Sequence, residues 1–381
     1  MSVPPSEPNP DLTVGADNKQ RWNQPENRRH GFHNAHRLWR RMFVVRARQV
    51  LTLTHTPDAL IGTAVRDSGI RDHPAFSALV IAQGGQILHQ ESAPDFGTDQ
   101  PHSIQSVTKM HMHIIMAEMI GSGLVDPART VSHYLPWIGS AYAGATVGNV
   151  MDMNISNDFS EDYSDANAGC YAEEQSLGWR LPEGNRPETT LADFAAGLTG
   201  ADLSNQTGYA IYKSANTDVL TLVAAALSPD YLARRIEAIA DAAGYEGTFH
   251  ISLSPELLPA FSGGGCLSAR DLARFGLLLA RGGQGVSGGT VGHAGFTRNT
   301  LSRPAPMLSA TRPWLRYSNQ AMTNGRWIGH AGYGGQFLMV DMTSGRVAAF
   351  LSVLENASGY DEDYMAHLIR ALETILGAGT A

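Results

Sequence analysis

Two hairpin signals stand near opposite ends of the chain, and they restrict the fold more than any other feature. Ser77-Ala-Leu-Val-Ile-Ala82 and Gln86-Ile-Leu-His-Gln90 flank Gly84-Gly85. Phe337-Leu-Met-Val-Asp-Met342 and Val347-Ala-Ala-Phe-Leu-Ser-Val353 flank the turn residues Thr343 to Gly345. Short apolar runs joined by glycine-bearing turns predict antiparallel strand pairs. Helical patterns surround them. Pro57 to Ser68 suits a short helix with Leu60, Ile61 and Val65 inward, and further helices are expected over Asn216 to Leu227 and Asp230 to Ala243. Ser268-Ala-Arg-Asp271 resembles a capping box and leads into Leu272, Phe275, Leu278 and Leu279; Met365, Leu368, Ile369, Leu372 and Leu376 mark a closing helix. Residues from about 130 to 210, rich in Asp, Asn, Gly and Ser, predict short helices and long loops.

This order implies an α+β fold: a mixed, mostly antiparallel sheet flanked by helices, with a mainly helical domain inserted. The expected boundaries are an N-terminal arm over 1–25, an α/β domain over 26–125 and 245–381, and the insertion over 126–244. The arm is expected to be extended on the surface or disordered. A chain of 381 residues can bury a large core in two lobes. A net charge of -8 argues against nucleic acid as the main partner and suits a small polar or cationic substrate. The first 20 residues lack a signal-peptide pattern and no apolar run reaches membrane-spanning length, so a cytoplasmic protein without a membrane partner is expected. Cys170 and Cys266 form no disulfide framework and read as free thiols. From Arg28 to Arg48, seven arginines lie among apolar residues. That pattern fits either a helix for a membrane surface or anionic partner, or an arm packed on the domain with its arginines solvated or paired.

The chemistry centres on Ser106-Val107-Thr108-Lys109. Met110, Ile114, Ala117 and Ile120 recur at helical spacing, so Ser106 is expected to open a helix with one buried face. The three-residue step puts Ser106 and Lys109 on neighbouring positions, close enough for the amine to touch the hydroxyl. The chain has three lysines, Lys19, Lys109 and Lys213, against 25 arginines. Arginine keeps its proton at working pH whereas a buried lysine can release it, so a lysine kept at 109 suggests proton chemistry.

Tyr212-Lys213-Ser214 precedes a helix, and a tyrosine beside one or two lysines can have a lowered pKa and act as a base. Gly329-His-Ala-Gly-Tyr-Gly-Gly-Gln336 reads as a tight lead into a strand, or as backbone that approaches a ligand and aims an amide at an oxyanion. His111 and His113, two apart on a helix, point in different directions and read as structural. The acidic stretch Asp158, Glu161, Asp162, Asp165, Glu173 and Glu174 reads as a solvated loop, or as a receiver of an ammonium group. Gly282 to Gly289 follows a helix and makes a poor phosphate cradle.

Ser-x-x-Lys, then Tyr, then a Gly-rich strand is the arrangement of serine β-lactamases and penicillin-binding proteins, and the chain resembles the 6-aminohexanoate-dimer hydrolases within that superfamily. The likeness runs from Trp22 to the final helix, with Val150 to Met153, Phe159 to Tyr163, Tyr212 to Leu220 and Gly263 to Gly276 among its specific stretches. The resemblance implies that Ser106 is acylated, that Lys109 and Tyr212 manage its proton, and that the amides of Ser106 and Tyr333 form the oxyanion hole. It implies that Tyr163 bonds the scissile amide nitrogen and that Glu174 faces an amino group of the substrate, with Ser214, His330 and Gly332 beside them. No cofactor is implied. The implied partner is a small-molecule amide or ester, with an amine acceptor open and a homodimer admitted. His330-Ala331-Gly332 replaces the Lys-Thr-Gly of β-lactamases, and Lys213-Ser214 replaces the usual Ala-Asn after the tyrosine, which argues against a penicillinase. The expectation is an amidase or esterase; a transacylase and a non-catalytic binding protein on the same scaffold are the alternatives.

Overall fold

The computed structural model describes residues 18–165, 167–182, 186–228 and 230–379. Among these, the strands in chain order are β1 Met42–Arg46, β2 Thr54–His55, β3 Phe76–Gln83, β4 Gln86–Ser92, β5 His102–Ser103, β6 Thr248–Ser252, β7 Gly265–Leu267, β8 Arg316–Ser318, β9 Ala321–Thr323, β10 Trp327–Gly332, β11 Gln336–Asp341 and β12 Arg346–Ser352. They make an eight-stranded sheet in the order β2-β4-β3-β12-β11-β10-β9-β8 and a four-stranded sheet in the order β1-β6-β7-β5. All neighbours pair antiparallel except β2 with β4. Both expected hairpins form, and β3 of the first pairs with β12 of the second from Gln83↔Arg346 to Ala78↔Leu351. The fold is thus the mixed, antiparallel-dominated α+β architecture read from the sequence.

Alternation explains how this sheet buries both faces. Leu79, Ile81, Phe337, Met339, Ala348 and Phe350 pack with Ile61 and Val65 of the Ala59–Ser68 helix and with Met365, Leu368, Ile369 and Leu372 of the Glu362–Gly377 helix. Ala78, Val80, Ala82, Leu338, Val340, Val347 and Ala349 face the other core, with Leu272, Phe275 and Leu279 of the Ala269–Ala280 helix. A period of two on strands buried from both sides gives the near-continuous apolar runs seen in the sequence. Ser268 caps the latter helix, accepting from Asp271 N at 3.1 Å. Leu60, expected inward, is 61% exposed, because the buried stripe of its helix is carried by Ile61 and Val65 alone.

Of the other expectations, some are corrected and some are borne out. Residues 18–25 do not lie loose on the surface: Asn18–Trp22 is a helix, and Lys19 and Trp22 are buried, while 1–17 lie outside the described residues. The arginine-rich segment is the Pro25–Leu38 helix followed by β1, and its cations are largely paired. Arg29 grips Asp95 with two bonds, Arg40 and Arg41 share Glu188, and Arg28 donates to the carbonyls of Leu354 and Asn356 at 2.7 Å each. The Gly329–Gln336 stretch is not merely a lead into a strand: its first half belongs to β10, and Tyr333 to Gly335 turn the chain into β11. No described helix is long and apolar enough to cross a membrane. Cys170 and Cys266 are buried free thiols.

The helix behind Ser106 also differs from expectation. Gln105–Thr108 is a 3-10 turn, and the α-helix proper is Lys109–Gly121, buried at every position from Lys109 to Ala117. A helix enclosed on all sides has no polar face, so its polar residues need internal partners. His111 is stacked between Phe249 and Phe275, at 4.6 and 4.4 Å, and donates from Nδ1 to the Thr108 carbonyl. His113 donates from Nδ1 to the Asn319 carbonyl at 2.8 Å. Both are structural, as their spacing suggested.

Burial lowers the folded-state pKa of His111 from 6.5 to about 3. The unfolded chain therefore takes up a proton that the folded one refuses, so stability is fully present above pH 6.5 and is lost as the pH falls towards 3. Urea unfolding at pH 7 and pH 5 should show His111→Phe losing about 2 kcal/mol less than the wild type over that interval; equal losses would place the titration elsewhere.

Candidate active site

The site begins with a backbone distortion. Gln105, immediately before Ser106, has φ 47°, a left-handed conformation uncommon for a side-chain-bearing residue. Local bonds hold it: Gln105 Nε2 donates to Ser103 Oγ at 2.7 Å, and Thr108 Oγ1 donates to the Gln105 carbonyl at 2.6 Å while accepting from Gly265 N at 3.1 Å. The 3-10 turn is thereby fixed to β7, and β5 brings the chain into it. Opposite, β10 ends at Gly332, where an added Cβ would lie 2.6 Å from the Ile104 carbonyl. Only glycine allows the strand this close to the serine turn.

Lys109 Nζ meets three acceptors: Ser106 Oγ at 3.1 Å, Ser214 Oγ at 3.1 Å and the Ser262 carbonyl at 2.5 Å. An ammonium has three protons, so the charged form is saturated; the neutral amine keeps a lone pair for the Ser106 proton. Ser214 is held in turn by Glu161, which accepts from its backbone N at 2.5 Å and its Oγ at 2.8 Å. The result is a relay from half-buried Glu161 through the buried Ser214 and Lys109 to half-buried Ser106.

Tyr212 lies beside this relay, with Lys109 Nζ 5.1 Å from its ring centroid and its hydroxyl close to Ser106 and Lys109, although no hydrogen bond of normal length reaches it. Burial raises its pKa, and the charge of Lys109 only partly offsets this. The expected lowering is corrected: desolvation of the phenolate outweighs one nearby cation, so the phenol holds its proton at neutral pH. The second lysine gives no help, because Lys213 turns away to Asn157, with burial lowering its pKa to about 8.

The remaining expected residues divide into three groups. Tyr163, 36% exposed, and Tyr333 stand together with ring centroids 5.7 Å apart, and Asn23, in the turn between the two N-terminal helices, and Arg28, on the second, flank Tyr333. His330 is fully buried behind Tyr212 and is not placed to touch a substrate. It donates from Nδ1 to the Ala331 carbonyl and accepts from Tyr317 at Nε2, and burial lowers its pKa to about 3, with the Lys109 charge adding to the effect. Glu174 is also corrected. Its carboxylate is buried and already carries Lys19, which lies over Trp179 at 4.4 Å, and Arg180 at 2.5 Å. With two cations of its own, it is no free anion for a substrate ammonium.

Three participants were missed by the sequence reading. Glu161 was grouped with a solvated acidic loop, Lys19 with a loose arm, and Ser262 acts through a carbonyl that has no side-chain signature. The acidic stretch divides by burial: Asp162 and Asp165 are exposed, whereas Glu173 and Glu174 are buried. No group of three or more His, Cys, Asp or Glu among the described residues is arranged to hold a metal ion.

Comparison with known proteins identifies the family. The β-lactamase family profile matches residues 70–371. The 6-aminohexanoate-dimer hydrolase of Paenarthrobacter ureafaciens is 30% identical over 72% of this chain and 72% of its own. Among solved structures, a Bacillus anthracis protein assigned as a 6-aminohexanoate-dimer hydrolase superposes with TM-score 0.80 at 17% identity, covering 93% of this chain and 95% of that one. EstCE1, a hydrolase with promiscuous acyltransferase activity, superposes with TM-score 0.59 at 15% identity over 82% of this chain and 98% of its own. The chain belongs to the β-lactamase family.

Glu161→Gln removes the charge that anchors Ser214 while keeping the side chain's shape. Hydrolysis of an activated ester should fall at least about tenfold with the melting temperature little changed; a rate near wild type would take Glu161 out of the relay.

Proposed function

We propose that this β-lactamase-family serine hydrolase cleaves a small linear amide or ester through an acyl-enzyme on Ser106. The observation that carries the reading is the 3.1 Å approach of Lys109 Nζ to Ser106 Oγ, with the amine's other directions held by Ser214 and Ser262. Ser106 Oγ attacks the carbonyl carbon and its proton passes to the neutral Lys109 amine. The developing oxyanion is held by the backbone amides of Ser106 and Tyr333. Tyr212, protonated at neutral pH, gives its proton to the leaving nitrogen or oxygen and recovers one from Lys109. In the second half water attacks the ester, its proton returns through the same pair, and Ser106 is regenerated with release of the acid.

We assign the bond to the leaving nitrogen to Tyr163, a reading supported by its partial exposure beside Tyr333. The substrate of the Paenarthrobacter relative is not carried over, because Lys19 and Arg180 already neutralise Glu174. Neutral donors fit this wall better than donors bearing an ammonium group. A site that holds a leaving amine also holds an attacking one by reversibility, so a transacylase is the second reading, and the acyltransferase activity of EstCE1 on the same fold favours keeping it. The rival from another class, a binding protein without turnover, predicts no covalent adduct.

Intact-mass measurement after brief exposure to an activated ester should show one acyl adduct that is absent in Ser106→Ala. An adduct that survives the substitution would move the nucleophile elsewhere.

Product analysis with and without low-millimolar primary amine decides the acceptor. Free acid alone is expected from the hydrolase, and new amide in place of acid would make the protein a transacylase.

A further inference from the structure

Beside Tyr163 the chain builds the surroundings of an ammonium group and fills them with its own lysine. After the Gly169–Ser176 helix, Gly178 takes φ 73° and turns the backbone, so that Trp179 N and Arg180 N donate to the Glu174 carbonyl at 2.8 and 3.2 Å. Lys19 Nζ bonds the Glu174 carboxylate and lies 4.4 Å from the ring centroid of Trp179 and 5.8 Å from that of Tyr163. A carboxylate flanked by aromatic faces is the chemistry that recognises a primary ammonium. The Lys19 and Glu174 side chains are 5% and 3% exposed, so little water or salt screens the pair.

Aromatic packing fixes the segment that presents the lysine. Lys19 sits on the Asn18–Trp22 helix, and Trp22 meets Phe32 and Trp39 edge-on with ring centroids 5.9 and 5.5 Å apart. Trp39 in turn stacks on Trp179 at 5.3 Å. An added Cβ at Gly31 would lie 2.5 Å from Trp22, so the first helix is seated directly on the second.

The charges around Glu174 do not balance. Lys19 takes its Oε1 and Arg180 its Oε2, which leaves two cations against one carboxylate. Tyr163 connects this cluster to the reaction centre, because its ring also lies 5.7 Å from that of Tyr333. A donor or acceptor whose cationic end extends past Tyr163 meets a filled site and a surplus positive charge.

We propose that Lys19 is a specificity-determining residue: it occupies, from within the chain, an ammonium site formed by Glu174, Trp179 and Tyr163, and so excludes substrates with a cationic end. The consequence for turnover rests on the acyl-enzyme reading, whereas the site itself does not. Lys19→Ala removes the occupant and leaves its space; Lys19→Met removes the charge and keeps the space filled. A free alkylammonium the size of the lysine tip therefore enters only the first variant.

The experiment has two arms. In the first, n-butylammonium chloride is titrated into wild type, Lys19→Ala and Lys19→Met against sodium chloride of equal ionic strength, and the melting temperature is followed. Lys19→Ala alone should gain about 2–4 °C once the amine exceeds its dissociation constant about tenfold. No gain in Lys19→Ala, or the same gain in all three proteins, overturns the site. In the second arm kcat/KM is compared for two esters that differ only in an ammonium or a methyl end on the leaving side. The ratio of charged to neutral ester should rise about tenfold in both variants, because each takes one cation out of the wall. An unchanged ratio in Lys19→Met overturns the proposal, even where Lys19→Ala folds poorly. Stabilisation by butylammonium in a protein that turns over neither ester overturns the acyl-enzyme reading and leaves the ammonium site standing.

Discussion

Everything at the site depends on keeping one lysine amine enclosed. Lys109 has no exposed surface, and its Nζ touches a hydroxyl from its own helical turn, a hydroxyl from the start of the Ser214–Leu227 helix and a carbonyl from the loop before β7. A buried ammonium costs several kcal/mol unless its protons are met and counter-charges are near. The structure meets both conditions with elements far apart in sequence. The left-handed Gln105, the glycine at 332 and the pairing of β5 with β7 can each be read as a condition for delivering those acceptors to one point.

Competition between burial and charge decides the role of each ionisable group. Tyr212 has a cation beside it yet keeps its proton, since removing a phenolate from water costs more than Lys109 returns. His330 is made neutral by the same burial and becomes a scaffold for the tyrosines around it. Glu174 remains buried because Lys19 and Arg180 accompany it. Residue type alone therefore predicts chemistry poorly here; the neighbours determine it.

This also explains what was legible in the sequence. Strand alternation, the Ser268 cap and the Ser106 to Lys109 step are local patterns, and they identified the hairpins, the helix over Ala269–Ala280 and the contact between amine and hydroxyl. Features that need a distant partner were not legible. Glu161 looks like its solvated neighbours until Ser214, 53 residues later, folds against it. Lys19 meets a carboxylate 155 residues away. The short strands of the smaller sheet, two to five residues long, carry too little periodicity to announce themselves. The helix of Lys109 misled because enclosure on every side leaves no amphipathic stripe to read.

The pairing of β3 with β12 has a consequence for how the molecule is made. These neighbours in the large sheet lie some 270 residues apart in the chain, at Ala78 and Leu351. During synthesis the first hairpin emerges with apolar side chains on both faces and must wait for nearly the whole polypeptide before its edge is covered. Such non-local closure is slow and leaves an unpaired strand open to aggregation. A ribosome that stalls before residue 346 thus releases a chain with its nucleophile but without the strand that closes the sheet beside it. The demand of the chain on chaperones should be heaviest in the interval before β12 pairs with β3.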